Sequence, residues 1–122
     1  MPRIESGAIW LADLEPRRGT EPGKVRPVLV VQGEALLGAG HPSTLIVPLT
    51  TNLIDDAEPL RIRVPAFGRL RKDSDLLIDQ LRAIDNRRLT GRSLGRLSRE
   101  QLRKVRVAIA DILDIEAPDA LT

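Results

Sequence analysis

The chain has 122 residues, enough for one compact domain over 1–122 and too few for a second of ordinary size. Its apolar fraction of 42% supports a core, but Trp10 and Phe67 are the only aromatic residues, so that core is aliphatic and a surface of stacked rings is excluded. The absence of cysteine removes disulfides, thiol nucleophiles and thiolate metal sites, and a net charge of +2 argues against a wholly basic nucleic-acid face.

Ala8 to Asp13 (AIWLAD) reads as a first strand, ended by the turn residues of Glu15 to Gly23. Pro27 to Gln32 (PVLVVQ) suits a strand buried on both faces, with Pro27 at its head because it has no N–H for a ladder. Gly33 to Ser43 is expected as a loop, Thr44 to Leu49 as a third strand, and Asn52 to Pro59 as a polar connection. Leu60 to Val64 (LRIRV) alternates apolar and Arg residues, the period of a strand with one solvated face. Asp75 to Ile84 is ambiguous between helix and strand, and its neighbours favour one extended strand. Arg99 to about Ile112 is a helix: Ser98 and Gln101 form a capping box. Leu102, Val105, Ile109 and Ile112 fall on one stripe, with Arg99, Arg103 and Arg106 to the other side. About five short strands and a terminal helix make a small, mainly β (α+β) domain, a twisted sheet or partly open barrel closed by one helix.

No stretch resembles a signal peptide, and no apolar run approaches the ~20 residues that span a bilayer, so a soluble cytoplasmic protein with no membrane role is expected. The cations are sixteen Arg against three Lys, a bias that suits bidentate phosphate contacts and that a GC-rich genome would also produce. They cluster at Arg61, Arg63, Arg69, Arg71 and Lys72, and again from Arg82 to Arg99, with acids interspersed. Any nucleic-acid surface is therefore expected as a local groove.

His41 is the only histidine, so neither a histidine pair nor a Ser-His-Asp triad is expected within one chain. Asp55, Asp56 and Glu58 read as a solvated acidic loop, and no metal or cofactor is expected. What remains is a set of polar residues at strand ends: Thr20, Glu21, Lys24 and Arg26 at one, Thr50, Thr51 and Asn52 at another. An Arg beside the core with a Thr from a neighbouring strand end could stabilise a phosphate as it becomes five-coordinate. Such a site needs no metal when the nucleophile is the 2′-OH of RNA. Spacing alone favours instead a surface ion pair between Glu21 and Arg26, worth ~0–1 kcal/mol.

The stretches GAIWLADLEPRRGTEPGKVRPVLVVQ (7–32), LIVPLTTN (45–52) and LRKDSDLLIDQLRAIDNRRL (70–89), supported by LGRLSREQLRKV (94–105), resemble the MazF/PemK/Kid family of toxin endoribonucleases. The resemblance implies a CcdB- and MazF-like, SH3-like barrel of five to seven strands with a C-terminal helix. It also implies a homodimer and a type II toxin whose partner is an antitoxin with a disordered acidic segment. DNA would be met only through that antitoxin. The implied activity is metal-independent, sequence-selective cleavage of single-stranded mRNA by 2′-OH attack, leaving 2′,3′-cyclic phosphate and 5′-OH ends.

Carried over by position, the resemblance makes Arg26 and Thr50 the catalytic pair and Glu21 a candidate general base. RNA recognition falls to a groove between subunits lined by Arg17, Arg18, Thr20, Glu21, Lys24, Thr51, Asn52, Gln80 and Arg82. Several members carry an aromatic residue where this chain has Arg17 and Arg18, whose planar guanidinium groups can also stack on bases. Some depend on a His or an Arg-x-Asp pair with no equivalent here. Two alternatives carry different expectations. A CcdB-like gyrase poison needs a terminal tail that inserts into its target, whereas DIEAPDALT breaks at Pro118 and has no aromatic. A non-catalytic RNA-binding module would bind through Arg26 and cleave nothing.

Overall fold

The computed structural model describes residues 3–14, 19 and 24–116. Its strands are β1 (Ala8–Asp13), β2 (Val25–Val30), β3 (Ser43–Thr50), β4 (Arg61–Val64), β5 (Ser74–Leu77), β6 (Arg82–Asp85) and β7 (Leu89–Arg96). All pairings are antiparallel, in the order β4-β5-β3-β2-β1-β7, with β6 also on β3. A short helix, α1 (Glu34–Gly38), precedes β3, and α2 (Arg99–Ile112) follows the sheet. No helix among the described residues is long and apolar enough to cross a membrane.

The central strands bury both faces, as the unbroken apolar run in β2 requires. Ile9, Leu29, Val47 and Leu49 point to one core, which Val105 and Ala108 of α2 cover. Trp10, Val28, Val30 and Ile46 point to the other, with Ile84 and Leu89. Each such side chain contributes on the order of 2 kcal/mol of burial. The capping box of α2 is formed: Ser98 Oγ accepts the Gln101 N–H at 3.1 Å, and Gln101 Oε1 accepts the Ser98 N–H at 2.9 Å.

Four expectations need correction. The second strand runs from Val25 to Val30 rather than from Pro27 to Gln32, and Pro27 is its third residue, opposite Leu11. The Leu14 N–H bonds Lys24 O, so the bonded pairs of β1 and β2 alternate to leave Leu11–Pro27 non-bonded. The proline nitrogen therefore faces away from β1, where pairing with β3 begins only at Val28. The expected loop 33–43 contains α1, whose Glu, Ala and Leu residues favour a helix too short to show a period. The single strand expected over 75–84 is two strands on the same edge of β3, separated by a 3₁₀ turn at Ile78–Gln80. That turn lets Ile78 drop into the core beneath α2. Finally, β7 was not anticipated, because LTGRSLGR lacks an apolar alternation and becomes a strand by pairing with β1.

The mainly β architecture with its terminal helix agrees with the expected class, but no strand ladder closes a barrel among the described residues. The end strands β4 and β7 are bridged by the 65–73 loop. There the Arg69 N–H bonds Leu94 O at 2.7 Å, and the Phe67 ring lies over Gly95.

Candidate active site

Antiparallel register sets the site. Ala12 stands opposite Arg26 in β1 and β2, Thr50 opposite Asp75 in β3 and β5, and Asp75 opposite Arg63 in β5 and β4. Continuing the Val28–Pro48 register of β2 and β3 by two residues sets Arg26 across from Thr50. Directly opposed residues share a sheet face about 5 Å apart, so Arg26, Thr50, Asp75 and Arg63 form one row across four strands.

Arg26 and Thr50, half-buried at the strand ends, line one open cleft of about 230 Å³ with Lys24, Val25, Pro27, Leu49, Thr51 and Ser74. Thr50 Oγ1 accepts the Asn52 N–H at 3.2 Å, which leaves its hydroxyl hydrogen to donate elsewhere. Lys24, just before Arg26, has φ of +63°, a left-handed conformation unusual for a residue with a Cβ. Ser74 is buried, and its hydroxyl donates to Lys72 O at 3.0 Å.

The cleft thus brings together Arg26, Thr50, Lys24 and Thr51 from the sequence-predicted set, with Asn52 bonded at its rim. Gln80 and Arg82 lie elsewhere. Arg82 opposes Ile46, four residues along β3 from Thr50, a run of about 13 Å. Arg17, Arg18, Thr20 and Glu21 fall outside the described residues, as do the Glu21–Arg26 ion pair and the tail around Pro118.

Beyond the cleft, sequence reasoning missed the partners of Asp75. This carboxylate is 1% exposed and sits next to Thr50 in the row. It accepts from Arg63 Nε at 2.5 Å, Arg61 Nη1 at 3.2 Å and the Ile54 N–H at 2.9 Å. Arg61 also donates to Asn52 O at 2.8 Å, and Arg63 to Asp55 Oδ1 at 2.9 Å. Burial by itself would push the Asp75 carboxyl up. Bonds from Arg63, the Ile54 amide and Arg61 outweigh it and hold the group below its ordinary value. The same contacts, Asp75 first and then Asp55, raise Arg63 further into its charged range. The signal was an Asp directly heading the apolar run LLI, after a strand that alternates with Arg.

Two acids of the loop form ion pairs, Asp55 with Arg63 and Glu58 with Lys104 at 3.8 Å. Among the described residues no group of three or more acids and histidines is placed to hold a metal ion. The cleft's chemistry is that of an anion site: a guanidinium, an ammonium and two hydroxyl-bearing threonines at the ends of two central strands, with no carboxylate among its described lining residues.

Comparison with known proteins fits this arrangement. Residues 5–113 match the family model described as PemK-like, MazF-like toxin of type II toxin–antitoxin system. Endoribonuclease MazF of Staphylococcus saprophyticus is 35% identical over 108 residues, which cover 87% of this chain and 88% of that protein. Among solved structures, the Mycobacterium tuberculosis toxin MazF-mt6 is 26% identical with a TM-score of 0.72, over 90% of this chain and 99% of its own. MazF from Deinococcus radiodurans, at 23% identity, shares the fold with a TM-score of 0.78 over 94% of this chain and 100% of its own. A MazE–MazF complex from Deinococcus radiodurans is similar at a TM-score of 0.73 and 20% identity, covering 95% of this chain and 100% of that one. The chain belongs to the family of PemK-like, MazF-like toxins of type II toxin–antitoxin systems.

Proposed function

We propose that this protein is a toxin endoribonuclease that cleaves single-stranded mRNA at short sequence motifs, without a metal. The observation that carries the reading is the convergence of Arg26 and Thr50, with Lys24 and Ser74, in one cleft at the strand ends. A phosphodiester seated there has its non-bridging oxygens beside cationic and hydroxyl donors. In the reaction the ribose 2′-oxygen bonds to phosphorus while the bond from phosphorus to the 5′-oxygen breaks. The 2′-OH proton leaves to a base, for which Glu21 is the candidate, and the departing 5′-oxygen takes a proton from water. The products are a 2′,3′-cyclic phosphate and a 5′-OH.

Negative charge builds on the phosphorane oxygens, where Arg26 offers two donors of one planar group and Thr50 a third. Arg26 acts by charge stabilisation, because a group of pKa above ~12 is a poor proton donor. Lys24, Thr51 and Asn52, with Arg17, Arg18, Thr20 and Glu21 from the first loop, would then contact the strand on either side. Gln80 and Arg82 join that surface only across a homodimer groove. The proposed antitoxin would present an acidic, unstructured segment to the same cationic cleft.

The test is incubation of purified protein with a long RNA in EDTA, followed by end-group analysis. Cyclic phosphate at one end and 5′-OH at the other are expected, and intact RNA across varied sequence contexts defeats the proposal. Arg26→Ala should lower the cleavage rate by about 10²–10³-fold, the loss typical of removing a transition-state donor. Retained cleavage would remove Arg26 from its role. Loss of RNA binding with no cleavage by the wild type would point to a binding module instead.

A further inference from the structure

The Asp75 cluster is not part of the cleft lining, yet it is built at some expense. A carboxylate with 1% exposure is held by two arginines and a backbone amide, next in the sheet row to Thr50. Removing a carboxylate from water carries a large penalty unless its oxygens are fully engaged. Its three partners do not serve the sheet alone. The Ile54 amide comes from the segment following Thr50, Arg61 continues to Asn52 O, and Arg63 continues to Asp55. Each bond therefore ties the 50–55 segment to β4 and β5. That segment is otherwise exposed from Thr51 through Asp56 and lacks regular secondary structure.

From this we infer that Asp75 is a positioning residue: its buried carboxylate, through Arg61 and Arg63, fixes the Thr50–Asp55 segment so that Thr50 and Asn52 meet the RNA in cleaving geometry. The inference rests on the proposal that the cleft cleaves RNA. Its chemistry also fits a cationic cleft, since the charge of Asp75 is covered by two guanidinium groups and does not face an incoming phosphate. Two functions follow from one group. The segment is anchored, and the anchoring charge is masked.

Asp75→Asn separates anchoring from charge. The amide keeps one acceptor but loses the ionic grip, and it makes the surroundings more positive. If Asp75 acted only through its charge, the variant would bind RNA more tightly and cleave at least as fast. Positioning predicts the opposite split. We expect kcat to fall by about 10²-fold, as for reacting groups displaced by about 1 Å, with KM unchanged or lower. Hydrogen exchange at the Ile54 amide should quicken by about tenfold, the loss of one bond of about 1.4 kcal/mol. Asp75→Glu, which keeps the charge, should recover part of kcat.

Arg61→Gln provides a second variant that leaves Asp75 paired with Arg63 and so avoids an uncompensated buried charge. It should lower kcat by a smaller factor, about threefold to tenfold, in step with faster exchange over 52–54. Unchanged Ile54 exchange in folded Asp75→Asn, or faster exchange with unchanged kcat, overturns the inference. Intact RNA with the wild-type protein defeats the cleavage proposal instead, and the exchange measurement still decides whether Asp75 anchors the segment.

Discussion

Arg26 stands where a guanidinium is both tolerated and useful. Its backbone belongs to β2, opposite Ala12, so its position is set by the ladder, while its half-buried side chain lines an open cleft. Lys24 introduces the strand with φ of +63°, a conformation that costs a residue bearing a Cβ about 1–2 kcal/mol. Glycine adopts that conformation freely, although it loses more backbone entropy on folding. Lys24→Gly should therefore stabilise the fold by up to about 1 kcal/mol in chemical denaturation, while weakening RNA binding through the lost ammonium. A variant that is both less stable and equally tight for RNA would show that Lys24 is neither strained nor in contact. Thr50 has the complementary economy: its oxygen is occupied by the Asn52 amide, and its proton remains available to a phosphate.

Among the elements, the closing contact between the two ends of the sheet is made by a loop rather than a ladder. Gly68 has φ of +54°, and a Cβ there would meet Leu94 O at 2.7 Å. A Cβ on Gly95 would meet the Phe67 ring at 2.7 Å. The two contacts differ in kind, because a ring can shift and a carbonyl fixed in β7 cannot. Gly68→Ala should cost about 2–3 kcal/mol, combining strain with overpacking, and Gly95→Ala less, about 1–2 kcal/mol. Denaturant midpoints of the two variants test the order, and a milder effect at Gly68 would mean that the 65–73 loop is not held against β7. The split of the 75–84 segment has the same origin in tertiary contact. Both halves pair with β3, but burial of Ile78 under α2 breaks the ladder between them.

At the scale of the whole molecule, two acids among the described residues, Asp75 and Asp85, are held below their ordinary values and contribute to the response to low pH. Asp75 lies below its ordinary value for the reasons given above, and Asp85 is lowered from 3.8 to about 2, first by the side-chain bond from Arg87 and then by the Arg87 amide. Both carboxylates hold their protons less tightly in the folded state. As pH falls towards and below the unfolded value of 3.8 the unfolded chain takes up more protons than the folded one, so this stability is full above about pH 5 and is lost progressively below it. Asp85 is exposed and contributes little of that loss, whereas protonating Asp75 would strip two arginines of a buried partner. Acid unfolding followed by circular dichroism should therefore shift to higher pH in Asp85→Asn only slightly. A steep loss of stability beginning well above pH 5 would contradict this account.

Much of this was legible from residue order. Apolar runs located β1, β2 and β3, the Ser98–Gln101 spacing located α2, and strand-end polarity marked a set that includes Arg26 and Thr50, which only the family resemblance of RPVLV and VPLTTN paired. These features are local: hydrophobic period, capping and strand-end polarity are written into neighbouring residues. What only the tertiary structure decided lies across strands. LTGRSLGR is a strand because β1 offers it an edge, and Ile78 leaves the ladder because α2 covers a pocket for it. Asp75 is a buried anchor because register sets it between Thr50 and Arg63. Sequence alone determined an aliphatic, cysteine-free β domain with a helix at its end and an arginine at the head of a core strand. Folding decided which polar groups meet, since partners such as Asn52, Arg61 and Asp75 are brought together by pairing energies that no single stretch contains.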